Sequence, residues 1–182
     1  MLKFGAFAQY NICCNKKICI FVGLYIIKRI VMVKIEEAIK QEKFDNSVEK
    51  AIVNLIYTHN WLRDGFNTIL KPYGLLQQHF NVLRILRGKY PKVACPGDIK
   101  DVMLDKGNDI TRLLDKLVSM ELAERNLCET NRRKMDIRIT EKGLALTKEL
   151  SEKFEERAVG ITKRLNEKDA ELLSNLLDRM RD

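Results

Sequence analysis

Asn108, Thr111, Arg112 and Lys116, followed by Arg132, Arg133 and Lys134, set fixed cations and hydrogen-bonding side chains close together along one stretch of chain. A guanidinium presents a planar fork of donors and an amide presents a donor beside an acceptor. Both match phosphate oxygens and base edges, while lysine adds a compact point charge. This is the chemistry of recognition rather than of bond making. Bond making has little to draw on, since the chain has no Gly-rich phosphate loop and no His-rich metal pattern. Its two histidines, His59 and His79, lie in helical surroundings without a matched carboxylate or thiol. Neither an enzyme nor a cofactor-dependent protein is expected.

The elements that must position these side chains can be read from apolar spacing. Ile110, Leu113, Leu114, Leu117 and Val118 recur at helical intervals and leave Asp109, Thr111, Arg112, Asp115, Lys116 and Ser119 towards solvent, predicting a helix over 108–121. Beyond Leu122 the pattern shortens to strand-like runs around Leu127 and through Met135, Ile137 and Ile139. The polar run 129–134 between them reads as a hairpin tip. Thr140 stands where a helix cap belongs, ahead of an apolar series opened by Leu144. A short helix followed by a hairpin with arginines at its tip is the pattern of a winged helix-turn-helix.

Here the chain resembles the MarR-type transcriptional regulators. That family's wing reads Asp-x-Arg, a short gap, an alternating strand and then Leu-Thr-x-x-Gly. The matching run is Asn131-Arg132-Arg133, then Met135 to Ile139, Thr140, Glu141, Lys142 and Gly143, with Asn131 where the family has Asp. Upstream, Gly74-Leu75, Gln78-His79-Phe80 and Val82-Leu83 resemble the family's second helix, and Ile110 to Leu117 resemble its recognition helix. The resemblance implies a mainly α fold with a small β-hairpin wing, in which the winged helix-turn-helix of residues 74–140 is flanked by dimerisation helices at 46–71 and 141–181. It implies a homodimeric, sequence-specific repressor bound to double-stranded DNA at a pseudo-palindromic operator. Helix 108–121 would read the major groove and wing 129–134 the minor groove. Asn108, Thr111 and Arg112 are the candidate base readers, Lys116 and Ser119 the candidate phosphate contacts. Arg133 is the candidate for the minor groove, with Arg132 and Lys134 on the adjacent backbone. Asp109 and Asp115 on the same face oppose non-specific binding, because acids repel phosphate. The alternative is a winged-helix module for protein–protein assembly without specific DNA binding.

Such regulators also bind small aromatic or anionic effectors between their dimer helices and DNA-binding lobe. Tyr57, Trp61, Arg63 and Phe66, with His79, are the candidate lining of that pocket.

Composition agrees with a single domain. The 182 residues are 46% hydrophobic and 32% charged, apolar enough for a core, and only three prolines and nine glycines interrupt the elements. The net charge of +8 is less telling than it looks. Five of those positive charges are Lys3, Lys16, Lys17, Lys28 and Arg29, in a segment without a single acid. Local placement of cations is the better argument. The five cysteines, Cys13, Cys14, Cys19, Cys95 and Cys128, form an odd set with no metal-binding spacing, which suits reduced thiols in the cytoplasm and no metal site.

Residues 1–31 depart from the rest. Ile18 to Ile27 is an apolar run of ten between Lys16-Lys17 and Lys28-Arg29. That is short of the about 20 residues a membrane span needs, and no small-x-small cleavage site follows. The preferred reading is that Met32 is the natural start and 1–31 is translated upstream sequence, with 32–182 forming the domain. A membrane-proximal anchor and an ordered extension are the alternatives.

Within 32–182, Pro72 and Gly74 should end the first long helix. A second helix is expected over about 75–87, burying Leu75, Leu76, Phe80, Leu83 and Leu86 and ending at Gly88. A short third helix is expected over 98–104 with Ile99, Val102 and Met103 inward. After the wing, Leu144, Leu146, Leu150, Phe154 and Val159, with Leu172, Leu173, Leu176, Leu177 and Met180, could face a second copy.

Overall fold

A computed structural model describes residues 33–127 and 135–181. The expectations for 1–31, for Cys128 and for the hairpin tip fall outside them. In order, the elements are α1 (Ile35–Ile39), α2 (Ser47–Leu70), a 3-10 turn (Lys71–Tyr73), α3 (Gln77–Lys89), α4 (Pro96–Val102), α5 (Ile110–Ser119), β1 (Ala123–Leu127), β2 (Met135–Ile139), α6 (Glu141–Thr162) and α7 (Glu167–Arg179). The described residues divide between Ile56 and Tyr57 into two compact units. In the first, the Lys50 ammonium of α2 pairs with the Glu36 carboxylate of α1, and Val48, Ile52, Leu55 and Ile56 are exposed.

The second unit holds the core. Leu70, Val82, Leu83, Ile99, Leu114, Leu117, Ile137 and Leu150 are sealed from solvent and belong to one cluster that draws on α2 to α6 and the hairpin. Pro72 and Gly74 end α2 as the sequence predicts; Gly74 takes φ 63°, a left-handed value that costs a residue without Cβ little. The strands pair antiparallel, Ala123 opposite Ile139, Arg125 opposite Ile137 and Leu127 opposite Met135. Ile137 also exchanges two backbone hydrogen bonds of 2.9 Å with Ala94, so the segment entering α4 is fastened to β2.

Several sequence expectations are corrected. Leu76 is exposed, because it is the extended residue before α3 and only its backbone takes part in the cap. Helix α3 passes through Gly88 to Lys89, where a Cβ on the glycine would meet nothing within 4 Å; the break comes at Tyr90-Pro91. Val102, the last residue of α4, faces solvent, while Met103 just beyond turns inward. On α6, Leu144, Leu146, Leu150 and Phe154 pack within this chain's own core rather than standing open. Val159 is exposed, as are Leu172, Leu173, Leu176 and Met180.

Candidate nucleic-acid interface

Helix α5 is shorter than the 108–121 the sequence predicts, and its cap explains why. Asp109 is extended, and its Oδ1 accepts hydrogen bonds from the backbone N–H of Thr111 at 2.9 Å and, at a longer 3.4 Å, of Arg112. The carboxylate thus satisfies orphan donors of the first turn and complements the helix dipole. An acid on the solvent side is spent on the helix itself. Met120 closes the other end, and Glu121 follows at φ 59°.

Leu113, Leu114 and Leu117 bury one side of α5, which leaves Thr111, Arg112, Asp115, Lys116 and Ser119 exposed along the other. Of the candidate readers, Thr111, Arg112 and Lys116 therefore share one solvated face. Asn108 does not belong to it. It precedes the cap, is half-buried, and its amide donates to Asp105 in the loop before the helix. The Ser119 hydroxyl donates to the Lys116 carbonyl at 2.8 Å, leaving its oxygen free to accept a further bond. Sequence reading missed the state of Asp115: its carboxylate takes a 2.7 Å bond from the Arg125 guanidinium on β1.

The hairpin leaves α5 through Glu121-Leu122 and returns at Thr140, where the two ends are clasped. The Thr140 hydroxyl donates to the Glu121 carbonyl at 2.7 Å and accepts from the Gly143 N–H at 3.0 Å. The Thr140 N–H donates to the Leu122 carbonyl, and Lys142 pairs with Glu121 at 2.8 Å. One threonine thus caps α6 and closes the base of the wing. Arg132, Arg133 and Lys134 lie outside the described residues.

The candidate effector residues do not converge. Tyr57 and Trp61 are exposed on α2, with the Arg157 guanidinium over the Trp61 ring at 5.8 Å, and Arg63 pairs with its neighbour Asp64. His79 is buried, and its Nδ1 accepts from the Leu76 N–H at 2.9 Å, which caps α3. Burial, and after it the charge of Lys116, hold the His79 imidazole below the usual histidine range. Of the candidates only Phe66 lines a cavity, one of about 390 Å³ that it shares with Phe80 and Phe154 and whose polar lining includes Arg84, Arg87 and Glu155. Phe80 stacks on Phe154 at 4.7 Å and Phe66 meets the same ring at 4.9 Å. Tyr57, Trp61, Arg63 and His79 do not line it. A sequence signal existed in Gln77, Asn81 and Arg84, which repeat on one face of α3. Among the described residues, no group of three or more His, Cys, Asp or Glu is placed to hold a metal ion, and no helix is long and apolar enough to cross a membrane.

No family model and no curated protein matches the chain. Solved structures do. A MarR transcription factor from Planctomyces limnophilus is 30% identical, with a TM-score of 0.57 over 76% of this chain and 98% of its own. Wild-type apo MarR from E. coli is 26% identical, with a TM-score of 0.54 over 70% of this chain and 93% of its own. MepR from S. aureus in complex with DNA reaches a TM-score of 0.63 over 71% of this chain and 94% of its own; at 18% identity that is a likeness of fold alone.

Proposed function

The chain belongs to the MarR family of transcription factors, and on that premise we propose that it is a sequence-specific DNA-binding regulator acting as a homodimeric repressor. The observation that carries this reading is the solvated face of α5, where Thr111, Arg112 and Lys116 stand together while the opposite face is sunk in the core. A helix so mounted can enter a major groove with Arg112 near base edges and Lys116 near the backbone. The tip cations Arg132, Arg133 and Lys134 would take the adjacent minor groove.

One short helix reads few base pairs, so two-fold pairing is part of the proposal. It would place two readers about 34 Å apart, one DNA turn, on a pseudo-palindromic operator. Support comes from the exposed Leu172, Leu173 and Leu176 of α7 and Met180 at its C-terminal cap, a run of apolar surface that a solitary domain gains nothing by leaving wet. A mobility-shift titration against the organism's own genomic fragments tests the reading: retention of particular fragments over a scrambled competitor supports it. Equal binding to all fragments, or to none, would leave the winged-helix assembly module in its place.

Repression is released, in this proposal, by a small aromatic or anionic effector in the cavity beside Phe66, Phe80 and Phe154. The three rings offer a flat apolar wall and Arg84 and Arg87 offer cations. Arg84→Ala should then abolish release by such a compound while sparing DNA binding in its absence.

A further inference from the structure

The ion pair between Arg125 and Asp115 joins two parts that must meet DNA together. Asp115 lies three residues after Arg112, four before Ser119 and next to Lys116, so its carboxylate belongs to the face of α5 that would meet phosphate. An unpaired acid there would oppose binding, the more so as water is squeezed from the interface and the effective dielectric falls. The carboxylate is not unpaired: the Arg125 guanidinium donates to Asp115 Oδ1 at 2.7 Å.

Arg125 is well mounted for this. It sits opposite Ile137 in the hairpin register, and residues directly opposite share a face of the sheet. Ile137 is sealed in the core and fastened on its other edge to Ala94, so Arg125 rises from the best-anchored rung of the hairpin. Its side chain is only 27% exposed, consistent with a stem laid along apolar surface and a head that reaches the helix.

We infer that Arg125 is a positioning residue for DNA reading: it cancels the one acid on the reading face of α5 that the helix cap does not use, and it ties that helix to the hairpin so that both present together. The inference rests on the DNA-binding function proposed above and deepens it.

The test is a double-mutant cycle on the full chain, using a duplex enriched from a random library by the wild-type protein and a scrambled duplex of equal composition. Arg125→Gln alone should weaken binding to the enriched duplex about tenfold and narrow its preference over the scrambled one. Adding Asp115→Asn should restore most of the missing affinity, because the exposed acid is gone and an amide pair can bridge the same two positions. Melting temperatures of the variants should nearly coincide, since Asp115 keeps its end of the pair in solvent and glutamine retains part of the Arg125 stem on the apolar surface. A double variant as weak as Arg125→Gln would mean that Arg125 touches phosphate itself, and would overturn the inference. So would wild-type binding by Arg125→Gln, or a drop in affinity that merely follows a large drop in melting temperature. Failure of the wild-type protein to enrich any duplex would instead remove the DNA-binding reading, and this inference with it.

Discussion

The backbone of Gly143 passes so close to the Leu122 carbonyl that a Cβ on Gly143 would lie 2.1 Å from that oxygen. The nearest obstacle is backbone and the next, at 2.8 Å, is the buried Ile139 side chain, so nothing there can swing aside into solvent. Gly143→Ala should therefore destabilise the fold by about 1–3 kcal/mol or more, and the clasp from Thr140 should loosen with it. Gly160 on α6 is the control, because a Cβ there meets nothing within 4 Å. Gly160→Ala should be neutral or stabilising by up to about 1 kcal/mol. Thermal melts of the two variants beside wild type check both.

Acid should weaken the fold through His79. Its folded pKa is lowered by burial and then by Lys116, so the neutral imidazole is the form that folding favours. Below the ordinary value near 6.5 the unfolded chain takes up a proton that the folded chain refuses. Stability is thus full above that value and declines as pH falls towards the lowered folded one. His79→Gln keeps an acceptor for the Leu76 N–H and removes the titration. Denaturant midpoints across about pH 5–8 should slope for wild type and flatten for the variant; parallel curves would count against the assignment.

Arg112→Ala should lower affinity for a cognate site by about 1–3 kcal/mol for each base it no longer reaches, and blur the distinction between related sites. The side chain is exposed, so melting should hardly change. Arg133→Ala should weaken binding more evenly across sequences. Titrations at one fixed salt concentration, on matched and scrambled duplexes, separate the two.

Leu173→Glu with Leu176→Glu should yield a monomer, since both side chains are exposed on α7 and removing them opens no cavity in the chain's own core. Sedimentation velocity reads the result directly. Leu117→Ala provides the contrast: fully buried behind the reading face, it should cost about 2–5 kcal/mol without acting on assembly first.

Features with a local cause are the ones legible in the sequence. Pro72 and Gly74 end α2, and Thr140 caps α6, through groups within a few residues of one another. The spacing of Leu113, Leu114 and Leu117 likewise names the buried side of α5 without further knowledge. Element ends are harder, because periodicity assigns a face but not the residue at which the chain leaves it; Leu76 and Val102 depart from expectation for that reason. The pairing of Asp115 with Arg125 crosses from helix to strand, and no pattern rule joins those positions. The role of His79 is hidden differently. It serves a cap whose first residue is Leu76, a side chain with no oxygen to announce the motif. Arg84 shares a face of α3 with Gln77 and Asn81, but polar residues at helical spacing also describe an ordinary solvated face, so that pattern does not by itself mark a cavity.

The hairpin is fastened at Ala94 and at Glu121-Leu122, against the Ile137 backbone and Thr140 respectively. These attachments lie at the root and at the middle of the strands, and none of them is made by the segment between Leu127 and Met135. Substitutions in that segment therefore leave the named attachments untouched while its charges and donors are rewritten. In the proposed reading, a new preference along the minor groove arises by substitution there with those attachments intact, whereas a new preference on α5 must be found on a helix whose other side is already committed to the core.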